Sequence, residues 1–151
     1  MIIKRCRSRG QAAGDEGWTF VEAIVVIAII VLLTGTVAFT AVRYVERARR
    51  ASAQIQIESI GLALQAYYLD TGGFPTDSQG IAGLWEQPVL APIPELWAGP
   101  YVDRPIGNDP WGWPFDYRVP GPGGVPYEIL CYGSDGLPGG DGNATDISSC
   151  Q

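Results

Sequence analysis

The sequence has no histidine, one methionine and three cysteines in 151 residues. Without imidazole there is no His general base, no Ser-His-Asp triad and no His metal ligand. Three cysteines without histidine cannot complete a four-ligand structural zinc site. Positive charge is sparse: Lys+Arg is 10 against Asp+Glu 16, a net charge of −6. A general nucleic-acid coat protein is basic, so that class drops out and no nucleic-acid partner is expected. Proline is missing until Pro75, and all 12 prolines lie from there onward. Charge is missing altogether from Ala23 to Val42. The length leaves room for one modest domain, so these gaps divide a short chain into unlike parts.

Residues 1–17 form a basic-then-acidic leader, with Lys4, Arg5, Arg7 and Arg9 followed by Asp15 and Glu16. From Thr71 onward Gly plus Pro make up 27 of 81 residues, a share that by composition alone suggests disorder. Ten of the 16 aromatics lie in the same stretch, among them Trp85, Trp97, Trp111 and Trp113. Disordered segments lack such aromatics, so a small, loop-rich packed domain is expected. Charge divides the same way. From Ala51 on, Arg104 and Arg118 stand against 12 carboxylates, whereas Arg43, Arg47, Arg49 and Arg50 cluster just before. An acidic globular end on a basic neck repels anionic surfaces and attracts a cation or a basic partner.

In the uncharged run Ala23–Val42 only Thr34, Gly35, Thr36 and Thr40 are not apolar. As a helix it is about 30 Å long, the thickness of a bilayer's hydrocarbon core. So small a chain cannot surround a helix that is apolar on all sides, which favours a lipid bilayer as its partner. Thr36-Val37-Ala38 could pass as a secretory cleavage site, but a signal peptide's apolar core is only about 7–15 residues. Four basic residues flank each side, so charge alone does not orient the span. The short N-terminal side cannot hold a domain, and the aromatic-rich C-terminal block with two cysteines suits export. The N-terminus is therefore placed in the cytoplasm. Helical patterning runs on from Tyr44 to about Asp70, with Ala53, Ile57, Ile60, Leu64 and Tyr67 in one stripe. Gly72-Gly73 and Pro75 then supply a stop.

Glu22 borders the apolar run, where an ionised group in hydrocarbon costs at least about 2.5 kcal/mol. It either snorkels to the headgroups or meets a cation. A cut after Gly17 would give Trp18 a free amine, four residues from Glu22 and largely positive at pH 7. Pairing of the two, within a chain or between bundled helices, would satisfy both buried charges and set the register of assembly.

Gly17-Trp18-Thr19-Phe20-Val21-Glu22 followed by the apolar run resembles the class III signal of type IV pilins and pseudopilins. The resemblance implies that a prepilin peptidase cuts between Gly17 and Trp18, that Trp18 is N-methylated, and that Glu22 serves assembly. Cys6 then leaves with the leader. Three features differ from the family pattern: Trp18 where Phe is usual, acidic Asp15-Glu16 beside the cut, and Phe39 where many members carry a helix-bending Pro. Further motifs follow in order: Tyr67–Thr76, Gln79–Leu84, Asn108–Tyr117, Tyr132–Gly136 and Gly139–Ile147. That order is similar to the major pseudopilin family of type II secretion, within the type IV pilin-like superfamily.

Phe115, Tyr117 and Val119 alternate, as do Tyr127, Ile129 and Cys131, around the turn-forming Pro120-Gly121-Pro122-Gly123-Gly124. This predicts a β-hairpin packed on the helix stripe, with Trp111 and Trp113 in the core or at its rim. The fold class is α+β: a long N-terminal helix on a small antiparallel hairpin or sheet with long loops. The expected segments are a leader over 1–17, a transmembrane and assembly half-helix over 18–42, an amphipathic half over 43–70 and a periplasmic β domain over 71–151.

Between Ser134 and Asp146, three aspartates lie among four glycines. Hard oxygens on a tightly turning backbone suit Ca²⁺, although the loop is neither an EF-hand nor an RTX repeat, and a merely solvated loop is the alternative. The family resemblance implies a structural Ca²⁺ here. Asp135 and Asp146 match best, Asp141 is a helper, and the carbonyls of Tyr132 and Leu137 are further candidates. Cys131 and Cys150 bracket the loop; in an oxidising compartment they either bridge or remain two thiols. A bridge is worth roughly 3 kcal/mol in the chain-entropy model.

The resemblance implies a structural major pseudopilin, not an enzyme. It would sit once across the bacterial inner membrane and polymerise into a periplasmic pseudopilus that drives proteins across the outer membrane. Its partners would be copies of itself, minor pseudopilins, prepilin peptidase, the lipid bilayer, and the inner-membrane secretion platform with its ATPase. The rivals are a type IV pilin or minor pilin, and a membrane-anchored hydrolase using Asp109 and Asp116. The latter would need a cleft between the two carboxylates.

Overall fold

The computed structural model describes residues 19–150, apart from the side chains of Thr36, Ala38 and Phe39. The leader, the Gly17–Trp18 cut and the Trp18 methylation site lie outside the described residues. Its first element is α1, Phe20–Thr71, a helix of 52 residues that runs unbroken through position 39. Thr19 caps it: its Oγ1 accepts from the Glu22 N–H at 3.2 Å and its carbonyl from Ala23 N–H at 3.2 Å. A hydroxyl acceptor there satisfies one of the helix's orphan N–H groups. At the other end Gly72, at φ 73°, takes the left-handed conformation that closes helices at little cost to glycine. Its N–H donates to the Tyr68 carbonyl at 2.8 Å.

The chain divides into two compact units after Ala41. In the first, α1 exposes Ile24, Ile27, Ile30, Val31, Leu32 and Leu33 with no apolar face turned inward. By length and composition this is the one segment among the described residues able to cross a membrane.

The second unit, Val42–Gln151, holds the core. Here the stripe Ala53, Ile57, Ile60, Leu64 and Tyr67 is buried along its whole length, as its spacing requires. It meets Leu84, Phe115, Tyr117, Ile129, Cys131 and Ile147. The sheet has order β1-β2-β3: β1 is Asp116–Arg118, β2 Glu128–Cys131 and β3 Ile147–Ser148. Both pairings are antiparallel, with Tyr117 opposite Ile129 and Cys131 opposite Ile147. The hairpin is the one expected from alternation; β3 is an addition too short to show a period. As the central strand, β2 is buried at all four positions, so Glu128 and Leu130 are shielded too. Glu128 accepts from the Ser148 hydroxyl at 2.8 Å across that pairing. Gly121 is required in the turn, because a Cβ there would lie 2.7 Å from the Tyr127 backbone.

Leu64 is fully buried and Leu62, two residues earlier, is 68% exposed. Leu64→Ala should cost about 2–5 kcal/mol and Leu62→Ala under about 0.5 kcal/mol. Chemical denaturation of the two variants in parallel checks this.

Candidate functional site

Two places carry candidate chemistry. The first is the start of α1. Glu22 sits in the first turn, exposed among Val21, Ile24 and Val25. A carboxylate there complements the positive end of the helix dipole. Its amide is held by Thr19, the residue immediately before α1, which thereby orders the first turn.

The second is the loop 134–146. Asp146 accepts from Gly139 N–H on Oδ2 at 2.9 Å, while its Oδ1 is buried without any hydrogen-bond partner. A buried orphan carboxylate oxygen is costly and marks a place where a cation fits. Asp135 Oδ1 accepts from Leu137 N–H at 3.2 Å. Asp141 precedes the 3-10 turn Gly142–Ala144, where its carbonyl accepts from Ala144 N–H at 3.2 Å. Among the described residues no three acidic, His or Cys side chains converge into a cluster. Oxygens beyond the carboxylates would have to complete a calcium shell. The all-oxygen donor set and the orphaned Asp146 oxygen fit a hard cation. Tyr132 directs its hydroxyl elsewhere, to Asp116 Oδ2 at 2.5 Å, which leaves its carbonyl as the relevant group.

Three residues that sequence reasoning did not connect with this loop shape it or the segment packed beside it. Arg50, from α1, donates Nη1 to the carbonyls of Gly142 at 2.9 Å and Thr145 at 3.2 Å. Those two oxygens are thereby occupied by a guanidinium. Trp113 lies against Gly136, where a Cβ would come within 2.5 Å of the indole. Asp109, 5% exposed, accepts on Oδ1 from the N–H groups of Trp111, Gly112 and Trp113 at 2.8–2.9 Å. No sequence period signals the Arg50 and Trp113 contacts, which join residues far apart in the chain.

Cys131 and Cys150 are separate thiols in this structure. Cys131 is buried and its thiol donates to Asp109 Oδ2 at 3.1 Å; Cys150 is exposed. Strand register is the reason. With Leu130 opposite Ser148, Cys150 falls opposite Glu128, three residues from Cys131. Three strand residues span about 10 Å and reverse the face, and a disulfide needs Cα atoms within about 7 Å.

A family model described as type II secretion system, protein G, matches residues 40–150. The type II secretion system core protein G of Pseudomonas aeruginosa is 32% identical over 139 residues, covering 92% of this chain and 97% of that protein. The core protein G of Xanthomonas campestris pv. campestris is 33% identical over 147 residues, covering 97% and 98%. The chain belongs to the type II secretion system protein G family. A crystal structure of the major pseudopilin from the type 2 secretion system of enterohaemorrhagic Escherichia coli superposes with a TM-score of 0.59 at 28% identity. It covers 68% of this chain and 87% of that one.

The pilin rival is thus displaced by the protein G family. The hydrolase rival also lacks its geometry. Asp109 is spent on three backbone amides and a thiol, and Asp116 on Arg118 and Tyr132. In this chain the Cys131 thiol is pushed up to about 12, first by burial and then by its bond to Asp109. The folded state therefore holds its proton more tightly than the unfolded chain. Its contribution to stability is intact below about pH 9 and is lost as pH rises toward 12. At neutral pH a maleimide should label Cys150 in the folded chain and reach Cys131 only after denaturation, read by peptide mass spectrometry. A mature chain in which neither thiol labels before reduction would contradict the separate placement.

Proposed function

We propose that this protein is the major structural subunit of a type II secretion pseudopilus. One observation carries it: α1 is apolar and exposed all round in the first unit, and amphipathic with one buried stripe in the second. Such a helix is stable in lipid, or in a bundle of copies of itself, but not alone in water. Prepilin peptidase cuts between Gly17 and Trp18, and the new Trp18 amine, methylated, stands four residues from Glu22. The span crosses the inner membrane once, with the N-terminus cytoplasmic and the Val42–Gln151 unit periplasmic. Pairing of the terminal amine with Glu22 of a neighbour neutralises the only carboxylate at the edge of the apolar run. Polymerisation then follows from packing of the spans, with minor pseudopilins among the partners. The protein performs no chemistry; the inner-membrane platform's ATPase supplies the energy for export.

Calcium is the proposed structural ligand of the 134–146 loop. Asp146, through its orphaned oxygen, and Asp135 would hold it, helped by Asp141 and the carbonyls of Tyr132 and Leu137. Bound there, a divalent cation supplies charge neutralisation and ties the loop's two limbs together. Extracellular modules bind calcium at about 10⁻⁴–10⁻³ M, so the site fills after export.

N-terminal sequencing of protein from its host should begin at Trp18. Glu22→Ala should insert and be cut yet give no filaments in sheared fractions. Normal filaments from that variant would refute the pairing. Calcium at a hundredfold excess over its Kd should stabilise the exported unit by about 2.7 kcal/mol. Asp146→Ala should abolish the calcium-dependent gain in melting temperature, and an unchanged gain would remove the metal from this loop.

A further inference from the structure

The densest exposed apolar surface outside α1 is the loop from Glu86 to Leu96, which displays Val89, Leu90, Ile93 and Leu96. Single exposed apolar residues need no explanation; four within eight residues on a braced loop do. The brace is made of side chains. Gln79 Nε2 donates to the carbonyls of Leu90 at 2.7 Å and Pro92 at 2.8 Å, and Gln87 Nε2 donates to that of Pro94 at 3.2 Å. Trp97 Nε1 anchors the far end on the Gly83 carbonyl at 3.0 Å. Three prolines, Pro88, Pro92 and Pro94, restrict the backbone further. A surface ordered before it meets a partner loses less entropy on binding. Its rim is acidic, with Glu86 and Glu95 both exposed.

A complementary surface lies on α1 within the same unit. Val45, Ala48, Ser52, Ile55, Ser59 and Leu62 alternate by three and four residues and carry no charge. They sit two residues out of phase with the core stripe, about 200° round the helix, and Ile55 and Leu62 are well exposed. The N-terminal end of this stripe is rimmed by Arg43 and Arg47, both exposed. Neither belongs to the ion pairs found among the described residues, Arg49–Glu46 and Arg118–Asp116.

These surfaces cannot meet within one chain. The loop is rooted at the C-terminal end of α1: Trp97 packs edge-on against Tyr101, whose hydroxyl donates to Asp70 at 2.9 Å. Arg47 lies about 35 Å back along the helix from Asp70. We propose that the Val89–Leu96 knuckle of one copy docks on the Val45–Ile55 stripe of a second copy, with Glu86 and Glu95 facing Arg43 and Arg47. The contact rests on the polymer proposed above and assigns its outer seam. It joins two different patches, so it repeats head to tail, the kind of contact a filament requires. Opposed charges at its rim set the register between copies.

The test uses the full chain expressed with its secretion system, and filaments sheared from cells. In a Cys150→Ser background, Ile93→Cys combined with Ala48→Cys should give a ladder of multimers with a short bis-maleimide, and each single variant none. Arg47→Glu should lower filament yield about tenfold, and adding Glu95→Arg should restore it. Filaments without a ladder, or a double reversal as poor as the single one, would overturn this contact and leave the pseudopilus standing. No filaments from the unaltered chain would overturn both.

Discussion

One helix has to satisfy two solvents and a core, and every other feature follows from that demand. Over its second half, α1 buries a single stripe against β1, β2 and β3. That stripe runs from Ala53 to Tyr67 at a 3.5-residue spacing, which keeps one edge of the helix facing the sheet. Over the first unit the described residues show no such buried edge. The hydrophobic effect that folds the second unit leaves the exposed apolar surface of the first unstable alone in water.

The β domain is held together with little regular structure. Its strands comprise three, four and two residues, so most loop backbone finds its hydrogen-bond partners elsewhere. Side chains take that role. Asp109 gathers the amides of residues 111–113, Tyr117 donates to the Pro75 carbonyl at 2.9 Å, and Gln79 pins the 90–92 segment. Arg50 does the same for the acidic loop, while Trp111 donates to Glu46 on α1 at 3.1 Å. Side chains from α1 thus reach both loops that flank the sheet. This explains how a segment with a Gly and Pro content typical of disorder is packed: its aromatics supply the core and its carboxylates and amides supply the ties.

Much of this was legible in sequence, and the legible parts are local. The span Ala23–Val42 is defined by length and absence of charge, which no tertiary context can alter. The stripe on α1 repeats over enough turns to be unambiguous, and Tyr117 and Ile129 alternate as a strand pair must. Helix end and turn are each announced by residue types with a steric reason to be there. Strand β3, with two residues, is too short for any period to register.

What sequence could not decide is what register and packing decide. Cys131 and Cys150 look like partners because they bracket a loop, yet Cys131 is buried on β2 with its thiol on Asp109, whereas Cys150 is exposed beyond the end of β3. The three aspartates look like one ligand set, yet only Asp146 has a buried oxygen left without a partner, and Arg50 takes two of the nearby carbonyls. By itself the sequence determined that one end of this chain is a helix long and apolar enough to cross a bilayer and that the other folds on a helix, because hydrophobic length and periodicity are local properties. Which thiols meet and which oxygens stay open was decided by tertiary structure, because those depend on distances between residues far apart in the chain.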